Sequence, residues 1–216
     1  MAELIPIPSP GVPLLFGEPG APVVVVVHDW YGRLPWLTPY AEALADRGGF
    51  RVIVPDLYDG AATDDDRQAD ILLDQLSGTD ARATIIREIE AARAEGSPRA
   101  GIVGFSMGGG LALQVAQTGE VDAAVAYYAT LEATQPGIIP CPVMLHFAEQ
   151  DDWPEGGTPE QFVGRLRENG TPVTQHGYAG TEHGFANGSL PALLDTRAAA
   201  LAFARTTVFL ETHLTD

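Results

Sequence analysis

Residues 104–109 read Gly-Phe-Ser-Met-Gly-Gly, a G-x-S-x-G pentapeptide followed by one more glycine. An apolar run, Gly101–Phe105, leads into it, and a helix-like stretch, Leu111–Gln117, leads out. A serine between glycines at a strand-to-helix turn is the pattern of a nucleophile elbow, in which a strained corner lifts the hydroxyl above the edge of a sheet. Glycines flank the corner because helix and strand pack there backbone to backbone. The plainer alternative is a turn that only cradles phosphate, but the G-x-G-x-x-G spacing of such turns is absent. Ser106 is therefore the candidate nucleophile.

Working outward, apolar runs of strand length alternate with segments of helical period. The expected strands are Val23–Val27, Arg51–Pro55, Gly101–Phe105, Ala123–Tyr128, Val143–Phe147 and Pro172–Gly177. Several are apolar at consecutive positions, as strands covered on both faces must be. Between them, Thr38-Pro39 reads as a helix start and Gly48-Gly49 as its end. Ala81, Ile85, Ile86, Ile89 and Ala92 form a buried stripe, stopped by Gly96 and Pro98. Thr158-Pro159-Glu160-Gln161 resembles a capping box, and a final amphipathic helix is expected from about Pro191 to His213. The acidic stretch from Asp59 to Gly78 reads as a loop leading into a short helix. The pattern predicts one α/β domain over residues 1–216, with a mainly parallel sheet and helices on both faces. The short Tyr128–Val143 connection leaves no room for a large lid.

A serine hydroxyl needs a base to take its proton. Of the five histidines, His183 alone lies in a loop just after the last expected strand, at the carboxyl edge where such a base belongs. His146 and His176 fall in strands and His213 in the last helix, while His28 ends the Val-rich strand. The base needs a carboxylate to fix its tautomer. The stretch after Phe147 supplies Asp151, with Asp152 as its rival, and the order Ser106, Asp151, His183 is that of α/β-hydrolases. An oxyanion hole needs two backbone N–H groups, which position assigns to Met107 and Trp30. Asp29, Tyr31, Trp36, Tyr128, Trp153 and Phe185 are the candidate pocket residues.

Composition narrows the partners. With 12 basic residues, all arginine, against 29 acidic ones, the net charge of −17 disfavours nucleic acid, anionic membranes and small anionic substrates. The absence of lysine excludes Schiff-base chemistry and Ser-Lys dyads. One cysteine, Cys141, cannot form an internal disulfide, and the N-terminus lacks the basic and apolar regions of a signal peptide, so a cytoplasmic location is the default expectation. No metal site is expected, since His28, Asp29 and His183 lack tight ligand spacing.

His28-Asp29-Trp30-Tyr31-Gly32, Pro55-Asp56-Leu57-Tyr58, Gly104–Gly109, Ala126-Tyr127-Tyr128, Ala148-Glu149-Gln150-Asp151 and Glu182-His183-Gly184-Phe185-Ala186-Asn187 together resemble the dienelactone hydrolase family. The resemblance spans nearly the whole chain. It implies a lidless α/β-hydrolase that needs no cofactor and cuts small esters or lactones, as a monomer or weak homodimer. The family's best-known members carry Cys where this chain has Ser106, and Glu where it has Asp29. With no thiol to manage, Asp29 is expected to shape its loop. Members that act on dienelactone hold the substrate carboxylate with arginines, one of them where this chain has Asn187; Arg33 and Arg67 are the available substitutes. A thioesterase using the same triad and a catalytically silent ligand-binding protein are the rival readings.

Overall fold

The computed structural model describes residues 4–135, 137–153 and 157–215. The described strands are β1 (Leu14–Phe16), β2 (Val23–Val27), β3 (Arg51–Val54), β4 (Ala100–Phe105), β5 (Ala123–Tyr127), β6 (Val143–Gln150) and β7 (Val173–Glu182). They form one sheet in the order β1-β3-β2-β4-β5-β6-β7, parallel throughout except for the β1–β3 pair. This is the α/β-hydrolase arrangement expected from the sequence.

The helices are α1 (Leu37–Gly48), α2 (Asp66–Gln75), α3 (Gly78–Ala94), α4 (Met107–Gln117), α5 (Pro159–Glu168) and α6 (Thr196–Leu214). The five valines of β2 show how the layers arise. Val24 and Val26 point into a core with Leu44 of α1 and Leu210 of α6, while Val23, Val25 and Val27 point into a second core with Ile85 of α3, Val115 of α4 and Phe162 of α5. A strand alternates its side chains between faces, so both faces must be apolar when both carry helices. The capping box at Thr158 and Gln161 is present, and Gly49 ends the first helix in a left-handed conformation at φ 64°.

Several boundaries depart from expectation. Helix α1 starts at Leu37 rather than after a Thr38 cap: Leu37, Thr38 and Tyr40 donate backbone bonds to Leu34, Pro35 and Trp36, so a preceding turn supplies the acceptors a capping side chain would have given. Helix α6 starts at Thr196, where the Asp195 carboxylate accepts from the Ala198 N–H; residues 190–194 form turns. Strand β7 runs past Gly177 to Glu182, held by its ladder with β6. The edge strand β1, three residues between Pro13 and Gly17, has too little length to show as a periodic signal.

Arg33 is fully buried. Its guanidinium donates to the carbonyls of Pro8, Ser9, Val12 and Val54 and lies 4.0 Å from the Asp56 carboxylate, clasping the N-terminal segment to the end of β3. Among the described residues no helix is long and apolar enough to cross a membrane.

Candidate active site

Sheet register assembles the site. Phe105 pairs with Tyr127, and Tyr127 with His146, so Ser106 and Tyr128 leave the sheet side by side at its carboxyl edge. A register irregularity between Ala148 and Gln150 brings Gln150 opposite Glu182, and the next residue on each strand is Asp151 and His183. The His183 N–H donates to the Gln150 carbonyl at 3.2 Å, which ties the two strand ends together. Ladder pairing, rather than any local motif, brings carboxylate and imidazole into contact.

Ser106 sits at φ 52° and ψ −118°, a conformation that costs a non-glycine residue of order 1–3 kcal/mol. The neighbouring glycines permit it. A Cβ on Gly104 would lie 2.1 Å from the Gly108 carbonyl oxygen, and one on Gly108 would lie 2.2 Å from the His28 carbonyl oxygen. Ser106 Oγ is 2.7 Å from His183 Nε2, and His183 Nδ1 is 2.8 and 2.9 Å from the two oxygens of Asp151. The Asp151 side chain is 3% exposed and that of His183 44%, so a buried carboxylate holds an imidazole that substrate can reach. Such an array can pass a proton from the hydroxyl to the ring while the carboxylate stabilises the imidazolium.

The cavity beside Ser106 has a volume of about 360 Å³ and is walled by Asp29, Trp30, Tyr31, Tyr128, His183, Gly184 and Leu193. Met107 contributes the first N–H of α4, one of the donors a helix leaves unpaired. In the loop after β2, the Tyr31 N–H is committed to Asp29 Oδ1 and the Gly32 N–H to the Asp29 carbonyl. Among the described residues that leaves the Trp30 amide facing no protein acceptor.

Three expected pocket residues lie elsewhere. Trp36 packs edge-on against Phe105 at 4.8 Å in the core, Trp153 packs edge-on against Phe147 at 5.7 Å, and Phe185 is fully buried behind Tyr128 and Tyr178. The Asp152-Trp153-Pro154 end of the loop after β6 runs into residue 154, which is outside the described residues. Leu193 and Gly184 line the cavity and were missed, because Leu193 belongs to the turns before α6, where apolar period carries no information. Arg33, spent on backbone carbonyls, is not a substrate clamp, and no arginine lines the cavity. His28 is buried as well: its Nδ1 donates to the Asp29 carbonyl, its Nε2 accepts from the Leu57 N–H, and burial lowers it to about 4. It is a neutral brace between β2 and β3.

Asp29 does shape its loop. Besides binding the Tyr31 N–H, its Oδ2 accepts from Asn187 Nδ2 at 2.8 Å, and Asn187 Oδ1 in turn accepts from the Ser189 N–H. The pair staples the loop after β2 to the loop carrying His183. Burial nevertheless raises the Asp29 carboxyl to about 6, against the opposing effects of Tyr31, Asn187 and His183. Because the folded value lies above the unfolded one of about 3.9, this group's contribution to stability is full below pH 4 and is lost as pH rises through 6. Asp29→Asn, which cannot titrate, carries a fixed hydrogen-bonding penalty instead. The stability of the native protein relative to this variant is expected to fall by about 1–3 kcal/mol between pH 4 and pH 7 in denaturant titrations. Parallel pH profiles for the two proteins would contradict this account.

Comparison with known proteins agrees with the geometry. Residues 14–214 match the model of the dienelactone hydrolase family. The chain is 30% identical over 215 residues to a carboxymethylenebutenolidase from Pseudomonas putida, covering 91% of this chain and 89% of that protein. It is 27% identical over 210 residues to the protein usf of Aquifex pyrophilus, covering 91% and 90%. Among solved structures, a dienelactone hydrolase-like promiscuous phosphotriesterase from metagenomic libraries superposes with a TM-score of 0.73 at 22% identity, over 91% of this chain and 88% of that one. A thermophilic carboxylesterase from a metagenomic library gives a TM-score of 0.65 at 18% identity, over 90% and 81%. At these identities the structural matches speak for the fold, and the sequence matches for the family. The chain belongs to the dienelactone hydrolase family, and with it to the carboxylic-ester hydrolases of the α/β-hydrolase fold.

Proposed function

We propose that the protein is a serine hydrolase of small, uncharged carboxylic esters or lactones, working through an acyl-enzyme. The observation that carries this is the unbroken contact from Ser106 Oγ to His183 Nε2 and from His183 Nδ1 to both Asp151 oxygens. His183 takes the Ser106 proton as Oγ attacks the carbonyl carbon, and Asp151 steadies the imidazolium. The tetrahedral oxyanion is held by the Met107 and Trp30 N–H groups. The intermediate collapses, the C–O bond to the alcohol breaks, and His183 returns its proton to the departing oxygen. Water, deprotonated by His183, then cleaves the acyl-enzyme and regenerates Ser106.

The substrate's lack of charge rests on three features. The cavity has no arginine, the position of the family's substrate-binding arginine is Asn187 with its amide already used, and the chain carries −17. The test is a panel of oxygen esters, lactones and thioesters in matched neutral and anionic forms. Neutral oxygen esters or lactones are expected to be turned over at least about tenfold faster in kcat/KM than their anionic counterparts at low salt, with the gap narrowing as salt screens the field. A preference for anions, or for thioesters over oxygen esters, would overturn the substrate assignment.

A further inference from the structure

Of the six tyrosines, four have their hydroxyls committed: Tyr31 to Asp66, Tyr178 to His146, Tyr127 to Thr206, and Tyr40 to Tyr127. Tyr128 differs. Its residue is 1% exposed, it walls the cavity beside Ser106, and its Oη has no hydrogen-bond partner. A buried hydroxyl with no acceptor is costly, so native structures seldom keep one without a use for it. The backbone adds to the cost. Tyr128 adopts φ 38°, a strained conformation for an aromatic residue, fixed by a 2.6 Å bond from its N–H to the His146 carbonyl. Phe185 packs edge-on against the ring at 5.5 Å and blocks retreat into the core.

Its position relative to the triad defines what the hydroxyl can meet. In the sheet, β4 lies between β2 and β5, so Trp30 and Tyr128 stand on opposite sides of Ser106. An oxyanion held by the Met107 and Trp30 amides lies toward β2. The Tyr128 ring lies 4.8 Å from the ring of His183, the residue that hands over the proton. Burial, with the nearby negative charges of Asp29 and Asp151, holds the phenol well above its usual range, so it remains a protonated donor at every working pH.

We propose that Tyr128 Oη donates a hydrogen bond to the leaving oxygen of the ester or lactone, as a catalytic residue beyond the triad and oxyanion hole. This rests on the serine-hydrolase reading above. When the tetrahedral intermediate collapses, the C–O electron pair moves onto the alcohol oxygen. The proton that neutralises it comes from His183 Nε2. Tyr128 keeps its own proton and stabilises the charge in transit. Such help matters most for poor leaving groups, alkyl alcohols and lactone ring oxygens, and least for acidic phenols that leave unaided.

The experiment compares Tyr128→Phe with the native enzyme on acetate esters running from p-nitrophenol through phenol to simple alkyl alcohols, using kcat/KM, which reports acylation. The variant is expected to lose about ten- to a hundredfold on alkyl esters and less than about threefold on the p-nitrophenyl ester, steepening the dependence on leaving-group acidity. An equal loss across the series would place the hydroxyl on the oxyanion or in a packing role and overturn the proposal, as would no loss at all. Fluorophosphonate labelling of Ser106, in which fluoride departs readily, is expected to be retained in the variant, and its thermal midpoint to rise because a buried hydroxyl with no partner is removed. Absence of labelling in the native protein would instead count against the serine-hydrolase reading itself.

Discussion

Ser106→Ala is expected to abolish ester hydrolysis, lowering kcat by about ten thousand- to a millionfold, and to remove all labelling by a fluorophosphonate probe. The loss is this large because serine is the only group at the elbow able to form the acyl bond, so His183, Asp151 and the two amides lose their common object. Any remaining rate comes from those groups acting on bound substrate and water. The stability change is expected to be small. Alanine inherits the same φ of 52° and with it the strain, and only the bond to His183 Nε2 is lost. Ser106→Gly offers a second reading of the same corner. It is expected to be equally inactive yet about 1–2 kcal/mol more stable than Ser106→Ala, because glycine enters this region without cost. Substantial hydrolysis by either variant, or equal labelling of native protein and alanine variant, would remove Ser106 from the reaction.

Gly104→Ala is expected to be among the most damaging single methyls in the chain. The new carbon would lie 2.1 Å from the Gly108 carbonyl oxygen, 2.4 Å from its carbon and 2.7 Å from the Gly109 nitrogen. All three are backbone atoms of the first turn of α4, so no rotamer relieves the clash. Either α4 moves off the sheet or the elbow opens. A loss of at least about 3 kcal/mol in denaturant unfolding is expected, with activity falling a hundredfold or more in whatever folds. Gly110 provides the control from the same helix. A Cβ there meets nothing within 4 Å, and Gly110→Ala is expected to raise stability by about 0.5–1 kcal/mol with activity retained. If both alanines behaved alike, close approach at the elbow would not be what glycine serves.

How much of this was readable in advance depended on whether the cause was local. The elbow announces itself because its requirement for small residues falls on adjacent positions. Val23–Val27 announces a doubly covered strand because each of its side chains enters one core or the other. Asp151 and His183 could be picked by their place after strands. What puts them in contact is the Gln150–Glu182 pairing beyond a register irregularity, which involves residues 32 apart and leaves no periodic trace. The pocket walls were the weakest reading. Trp36, Trp153 and Phe185 have the same chemistry as Trp30 and Tyr128, and only packing separates aromatic core from aromatic wall. The burial of Arg33 is hidden for a similar reason: besides Asp56 at 4.0 Å, its donors are taken by four backbone carbonyls, and carbonyls have no residue identity to read.

That clasp has a consequence for how the chain is made. Three of the acceptors around Arg33, on Pro8, Ser9 and Val12, are synthesised before it, and the fourth, on Val54, after it. Strand β1 likewise has only β3 as its neighbour. During vectorial synthesis residues 8–16 therefore wait for β3 before they can be fastened, although domains generally fold from the N-terminus onward. The sheet then grows on its other side in chain order, β4 through β7, and His183 arrives only after β7. Residues 8–16 are made before β3, yet their anchoring is postponed until it emerges, and until then they stay open to trimming.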